Sequence, residues 1–229
     1  LSKEEMTEWQ IEKKWEIARF HFDNNKYYRK IVGRYFPESW EDLPILKKEN
    51  FQSLEFLSSI SKNLKKNAYF AQTSGSSGLP FSFLKNKEAH AMDLALIANR
   101  YGWHNINYND RQGRFFGIPS RKYSFLKEKI KDLMLNRVRI PFGEFSDTDL
   151  NNIIITLDNK KINYLYGYTN TLVLVAQYLI EKKIIFNEIN KDVKCLIVTA
   201  EMLTERNKDI LIKGFNLPVI NEYGASEVG

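Results

Sequence analysis

Thr73, Ser74, Gly75, Ser76, Ser77, Gly78, Leu79 and Pro80 stand together between two short segments of strand character within 69–84. Such a run suits phosphate: glycines admit an anion to backbone N–H groups, and four hydroxyls can follow several phosphate oxygens. The same composition also describes an ordinary surface turn, and the loop alone does not separate the two. Commoner glycine motifs do not apply. A Walker loop needs four residues between its glycines and then Gly-Lys-Ser/Thr, whereas Gly75 and Gly78 are three apart with no lysine following. A dinucleotide fingerprint enters a helix, but here Phe81-Ser82-Phe83-Leu84 follows. Neither this loop nor Gly224-Ala225-Ser226-Glu227 supplies the Gly-x-Ser-x-Gly of a hydrolase elbow. A hydroxyl-rich clamp remains.

A second constellation, Asn221-Glu222-Tyr223-Gly224-Ala225-Ser226-Glu227, lies about 150 residues further on, where the last strand-like run ends. A carboxylate facing a triphosphate is a natural magnesium ligand, because Mg²⁺ takes one or two carboxylates and completes its shell with water and phosphate oxygens. Glu227 is the residue chosen for that role. Tyr223 offers a flat face, and Gly224 allows close backbone approach. A β-turn with a solvated glutamate fits the same residues equally well. Cys195 is the single cysteine, which excludes an internal disulfide and a cysteine-clustered metal site. Its apolar neighbours predict a buried, inert thiol. His104 carries no assigned role.

The elements that would position these groups follow from periodicity and punctuation. Ser2 with Glu5 is a capping box, and Ile11, Trp15, Ala18 and Phe22 recur at helical spacing up to Asn24-Asn25. Residues 27–50 read as aromatic and irregular. A helix is expected over 88–101 and a strand over 114–118. Ser146 caps a helix with Leu150, Ile153, Ile154 and Leu157 inward. A strand at 163–166, a helix at 170–182, a strand at 193–199, a helix at 204–213 stopped by Gly214 and a strand at 218–221 complete the alternation. Strand–helix repeats with continuous apolar strands imply parallel pairing and right-handed crossovers. The fold class is therefore α/β, a mostly parallel sheet flanked by helices. Ligands of such sheets collect beyond the carboxyl ends of the strands, which singles out Gly167-Tyr168-Thr169, Ala200-Glu201 and Glu222-Tyr223-Gly224.

At 229 residues, with 43% hydrophobic and 14% aromatic residues, the chain can bury a substantial core. No run approaches the roughly 18 apolar residues of a membrane span, and the N-terminus is polar and acidic, unlike a signal peptide. The expectation is a cytoplasmic protein. The net charge of +6 is local: residues 111–139 hold nine Lys/Arg against Glu128 and Asp132. Mixed with core-type Phe125, Leu126, Ile130 and Leu133, these charges predict a solvated helix face, and no nucleic-acid partner is expected. A basic polyanion-binding protein is the reading that rests on this stretch alone.

In order, the two motifs resemble a family. Thr73-Ser74-Gly75-Ser76-Ser77-Gly78-Leu79-Pro80 resembles the Thr-Ser-Gly-Thr-Thr-Gly-x-Pro signature of the adenylate-forming enzymes, and Glu222-Tyr223-Gly224-Ala225-Ser226-Glu227 resembles their Tyr-Gly-x-Thr/Ser-Glu motif. Trp40-Glu41-Asp42-Leu43-Pro44-Ile45-Leu46-Lys47, Gly167-Tyr168-Thr169-Asn170-Thr171-Leu172 and Thr199-Ala200-Glu201-Met202-Leu203 are similar to segments of the phenylacetate–coenzyme A ligase branch and its capsular-polysaccharide, CapK-type relatives. Phe81 after the loop proline, and Met202-Leu203 in place of proline-leucine, suit the capsule branch better.

The resemblance implies a large N-terminal domain of such an enzyme, with an N-terminal helical and irregular extension at 1–60, a nucleotide-binding α/β domain at 61–229 that stops short, and a small C-terminal domain lying beyond the sequence. It implies ATP-dependent activation of a carboxylic acid as an acyl-adenylate, pyrophosphate leaving, and transfer to coenzyme A or another acceptor, with capsular or exopolysaccharide biosynthesis as one setting. Ser74, Ser76 and Glu227 would be catalytic, Glu227 holding Mg²⁺. Thr73, Ser74, Gly75, Ser76, Ser77, Gly78, Ala200, Glu201, Glu222, Tyr223, Gly224 and Ser226 would bind ATP. Tyr166, Gly167 and Tyr168 would lie near the acyl or adenine pocket and bind substrate. Because the family's ribose-binding aspartate and catalytic lysine come later, this stretch by itself is expected to bind nucleotide weakly and not to turn over. The alternative is a non-catalytic nucleotide-binding module derived from such an enzyme.

Overall fold

The computed structural model describes residues 2–52, 66, 68–72, 81–116, 122–140 and 145–225, and the chain divides into two compact units, Leu1–Asp93 and Leu94–Ala225. In the first unit the Ser2–Glu5 capping box opens α1 (Lys3–Asn24): Ser2 Oγ accepts from the Glu5 amide, and Oε2 of Glu5 accepts from the Ser2 amide. Residues 27–50 are less irregular than their composition predicts. Asn25 closes α1, and its Oδ1 accepts the amides of Tyr27 and Tyr28, starting α2 (Lys26–Val32) at once. The aromatic residues behind that misreading form a cluster, with Trp15 edge-on to Phe36 and Trp40 and Arg19 stacked over Phe36. Helix α3 (Lys48–Gln52) follows. Strands β1 (Ala68–Gln72) and β2 (Ser82–Asn86) pair antiparallel, so the strands predicted on either side of the hydroxyl-rich loop exist and meet in register.

Helix α4 (Lys87–Gly102) carries the chain into the second unit, whose five-stranded sheet comprises β3 (Gln112–Phe115), β4 (Arg137–Arg139), β5 (Tyr164–Tyr168), β6 (Leu196–Thr199) and β7 (Val219–Glu222). Its order is β4-β3-β5-β6-β7, and every neighbouring pair is parallel. Helices α5 (Lys122–Met134), α6 (Asp147–Asn159), α7 (Thr169–Glu181), α8 (Phe186–Ile189) and α9 (Glu205–Phe215) connect the strands. The order reverses once, between β3 and β5. Right-handed crossovers in opposite directions place α5 on one face and α6, α7 and α9 on the other.

The second face holds the main core. Leu150, Ile153, Ile154 and Leu157 of α6 are all buried as their spacing predicts, alongside fully buried Phe115, Leu165, Leu172, Leu179, Leu196, Leu211 and Phe215. Each such side chain contributes about 1.5–3 kcal/mol by leaving water, enough to make this half the stable scaffold. Two glycines set its spacing. A Cβ on Gly167 would meet the Phe115 Cβ at 2.6 Å, and one on Gly214 would meet the Ala176 carbonyl oxygen at 2.6 Å. Gly214 therefore does not stop the last helix: α9 runs on to Phe215 and ends on Asn216, whose left-handed φ of 53° caps it.

Three other expectations change. Strand β3 begins two residues before the predicted 114. The three-residue β4 is too short for periodicity to reveal and was not foreseen. Leu126, Ile130 and Leu133 of α5 are exposed, not core, because α5 presents them to the side away from the sheet.

Candidate functional site

The first face of the sheet is polar and aromatic. Residues alternating along the strands bring Gln112, Arg114 and Phe116, then Tyr164, Tyr166 and Tyr168, then Cys195 and Ile197, then Ile220 and Glu222 to one side. Tyr101, from the end of α4, covers part of it, edge-on to Tyr164 and in the small cluster with Ile106, Cys195 and Ile197.

Glu222, the last residue of β7, is held from two directions. Its Oε1 accepts the Tyr166 hydroxyl at 2.7 Å and its Oε2 accepts the Tyr101 hydroxyl at 2.7 Å. Burial, reinforced by the Glu222 charge, pushes both phenols well above the usual tyrosine range, so both stay donors at neutral pH. A carboxylate with both oxygens engaged is fixed in orientation, and its negative charge stays at the carboxyl edge. Beyond it, Tyr223 is exposed over 94% of its surface and a Cβ on Gly224 would meet nothing within 4 Å, so the edge is open where a ligand would approach.

At the carboxyl end of β5, Phe116 stacks on Tyr166 with ring centres 5.4 Å apart and leans on Tyr168 at 4.5 Å. Gly167 lies between these tyrosines, and its lack of a side chain lets β5 close on β3. Ala200 adopts a left-handed φ of 66° directly after β6, a conformation that costs a non-glycine residue about 1 kcal/mol or more. That turn aims Glu201 back at α7: its Oε2 accepts the Asn170 amide at 2.7 Å, while the Thr169 hydroxyl donates to the Glu201 carbonyl. The Tyr168 side chain makes no cap bond at this helix start, so Glu201 supplies one, and its charge favours the positive end of the helix.

Tyr166, Gly167, Tyr168, Ala200, Glu201, Glu222, Tyr223 and Gly224 thus gather at one carboxyl edge, at the ends of three adjacent strands. Thr73, Ser74, Gly75, Ser76, Ser77, Gly78, Ser226 and Glu227 lie outside the described residues. Among the described residues no group of three His, Cys, Asp or Glu side chains is placed to hold a metal, and no helix is long and apolar enough to cross a membrane. Three participants escaped the sequence reading. Arg114 lies on, and Phe116 just beyond, a strand that was expected, and the carboxyl end of that strand is the signal that could have found them. Tyr101 is 121 residues from Glu222 and had no such signal.

The backbone agrees with enzymes of known structure. A 2-hydroxyisobutyryl-CoA ligase, solved with 2-HIB-AMP and CoA in the thioesterification state, superposes with a TM-score of 0.68 over 99% of this chain and 50% of that one, at 17% identity. Its fold is that of the N-terminal domain of the adenylate-forming ligases. A long-chain-fatty-acid-CoA ligase from Archaeoglobus fulgidus agrees over 76% of this chain and 36% of its own, with a TM-score of 0.51 and 15% identity. In sequence, the chain is similar to protein CapK of Staphylococcus aureus, 26% identical over 160 residues that span 68% of this chain and 34% of CapK. No protein-family profile matches. The expected resemblance to the adenylate-forming enzymes and their CapK-type relatives is borne out, and the chain spans half or less of the proteins it matches.

Proposed function

We propose that this chain forms the nucleotide- and acid-binding part of an ATP-dependent ligase that activates a carboxylic acid as an acyl-adenylate, releases pyrophosphate and passes the acyl group to coenzyme A or another acceptor. The observation that carries the reading is the carboxyl edge itself: Glu222 clamped by two tyrosines, the turn at Ala200-Glu201 and the Phe116–Tyr166–Tyr168 stack, on the fold of ligases solved with an acyl-adenylate and CoA. In this reading the adenylate lies along the ends of β5, β6 and β7, with Tyr223 and Gly224 against the nucleotide and Tyr166, Gly167 and Tyr168 near the acid. Thr73, Ser74, Gly75, Ser76, Ser77 and Gly78 supply N–H and O–H donors to the phosphates, and Ser226 binds alongside them. Magnesium on Glu227 would offset the charge that develops on the departing pyrophosphate. Likeness to CapK favours a role in capsular or exopolysaccharide synthesis, and a cytoplasmic location goes with it.

Exchange of labelled pyrophosphate into ATP across a broad panel of acids, on a longer protein containing this chain, tests the reading. Acid-dependent exchange that is lost in Glu227→Gln is the expected result. ATP binding without exchange, in a folded longer protein, would instead make it a non-catalytic nucleotide-binding module.

A further inference from the structure

Among the described residues, Arg114 carries a charge that no ion pair matches. It faces Tyr166 across β5 and Arg139 across β4 in the parallel register, at the single point where the strand order reverses. Its guanidinium carbon lies 4.2 Å from the centre of the Phe116 ring and 5.3 Å from that of Tyr166. A guanidinium has five N–H donors, and one of these, on Nη1, reaches an acceptor, Gln112 Oε1, at 3.2 Å. Among the described residues no carboxylate forms an ion pair with it. Arg139, one strand away, has both Asp132 and Glu128. Burial first, and the charge of Arg137 next, hold the Arg114 guanidinium below its usual range.

A half-buried cation with no carboxylate in ion-pair contact is costly, and stacking on two aromatic rings, one neutral hydrogen bond and the longer-range attraction of Asp132 offset only part of that cost. The planar fork of donors matches a carboxylate or a phosphate bidentately. Arg114 is partly exposed, as are Phe116, Tyr166 and Tyr168, so an incoming group can reach it. Ligands of such sheets lie beyond the strand ends at the point of reversal.

We propose that Arg114, stacked on Phe116 and Tyr166, binds a second oxyanion on the acid that this chain activates, so that the substrate is a dicarboxylic or phosphorylated acid and not a simple monocarboxylic one. The inference rests on the acid-activating reading above. Its chemistry is charge pairing alone: the distal oxyanion stays unreacted while the other carboxylate is the one adenylated.

Calorimetric titration at fixed ionic strength, with succinate, 3-phosphonopropionate and butyrate as probes, decides the matter. At least one of the two doubly anionic probes should bind tenfold or more tightly than butyrate, and which one does so separates a carboxylate from a phosphate. In Arg114→Gln the ratio should fall to near one. Arg114→Lys, which keeps a point charge without the fork, should retain part of it. Equal binding of all three probes by the unaltered protein, no binding of either doubly anionic probe, or a preference that survives Arg114→Gln overturns the proposal. The first two outcomes need no variant, so a variant that fails to fold leaves the decision intact. ATP titrated in parallel keeps the two readings apart: ATP bound without a preference among the acids removes this inference alone, and absence of ATP binding by a folded protein removes the acid-activating reading.

Discussion

Glu222 combines the clamp formed by two phenols with the nucleotide-binding role proposed for it. Each of its carboxylate oxygens takes one phenol at 2.7 Å, which leaves lone pairs on both oxygens for a ligand while the orientation is already fixed. Removing one phenol should therefore cost stability and order together. Tyr101→Phe is expected to lower the unfolding free energy by about 1.5–3 kcal/mol, the range for a hydrogen bond to a charged group, as a shift in the urea midpoint at unchanged slope. Tyr166→Phe should cost a similar amount. The double variant should cost less than the sum, because the first loss already frees the carboxylate to rotate toward water. Strictly additive losses would show that the two phenols do not share Glu222 as a clamp. Glu222 itself was legible, since a strand-end carboxylate on a parallel sheet is a candidate on topology alone. Tyr101 was not, because a contact between residues 121 apart depends on where α4 ends relative to the sheet. Glu201 was found for its position, yet its hydrogen bond to the start of α7 could not be foreseen without the left-handed turn at Ala200.

Among the elements, α7 and α9 pack closely at Ala176 and Gly214, and Gly214 permits it. A methyl group there would lie 2.6 Å from the Ala176 carbonyl oxygen and 2.7 Å from its Cβ, so the helices must part. Gly214→Ala should destabilise by about 1–3 kcal/mol from overpacking, despite the higher helix propensity of alanine. Gly102, near the end of α4, is the control: a Cβ there meets nothing within 4 Å, and Gly102→Ala should be neutral or stabilising by up to about 1 kcal/mol. Thermal melts of the two variants measured side by side give the comparison, and equal melting temperatures would remove the packing role of Gly214. Elements with strong periodicity and caps were legible, as with α6 behind Ser146 and the capping box of α1. Gly214 was misread because glycine after an apolar run signals a helix end in sequence, whereas close packing against a helix laid down nearly forty residues earlier is invisible there. Strand β4 was missed because three residues carry no period. Helix α2 was missed because tyrosine-rich segments have weak helix propensity, and the Asn25 cap starts it instead.

At the scale of the whole molecule, the parallel sheet buries acidic groups that titrate above neutral pH. Burial pushes the Cys195 thiol from an ordinary 9.0 up to about 11. It also raises Tyr164, Tyr101 and Tyr166, the last two further through the Glu222 charge. All four lie on the first face of the sheet or packed against it. The native state therefore keeps protons that the unfolded chain releases, and unfolding is favoured as pH rises. Stability from Cys195 is fully present below pH 9 and is lost between about 9 and about 11, at up to about 1.4 kcal/mol per pH unit. The tyrosines extend the fall above pH 10. Cys195→Ala isolates the thiol, since it removes the titrating group and leaves the phenols in place. Urea unfolding of both proteins at pH 8.5 and 10.5 should show the unaltered chain losing about 2 kcal/mol more than the variant over that interval. Parallel losses would mean that the thiol titrates equally in both states, and that this face of the sheet is wetter than the 2% exposure of Cys195 implies. The same burial makes Cys195 a reporter of opening: alkylation at pH 8 should proceed only through unfolding, and a nucleotide bound at the carboxyl edge should slow it in proportion to its occupancy.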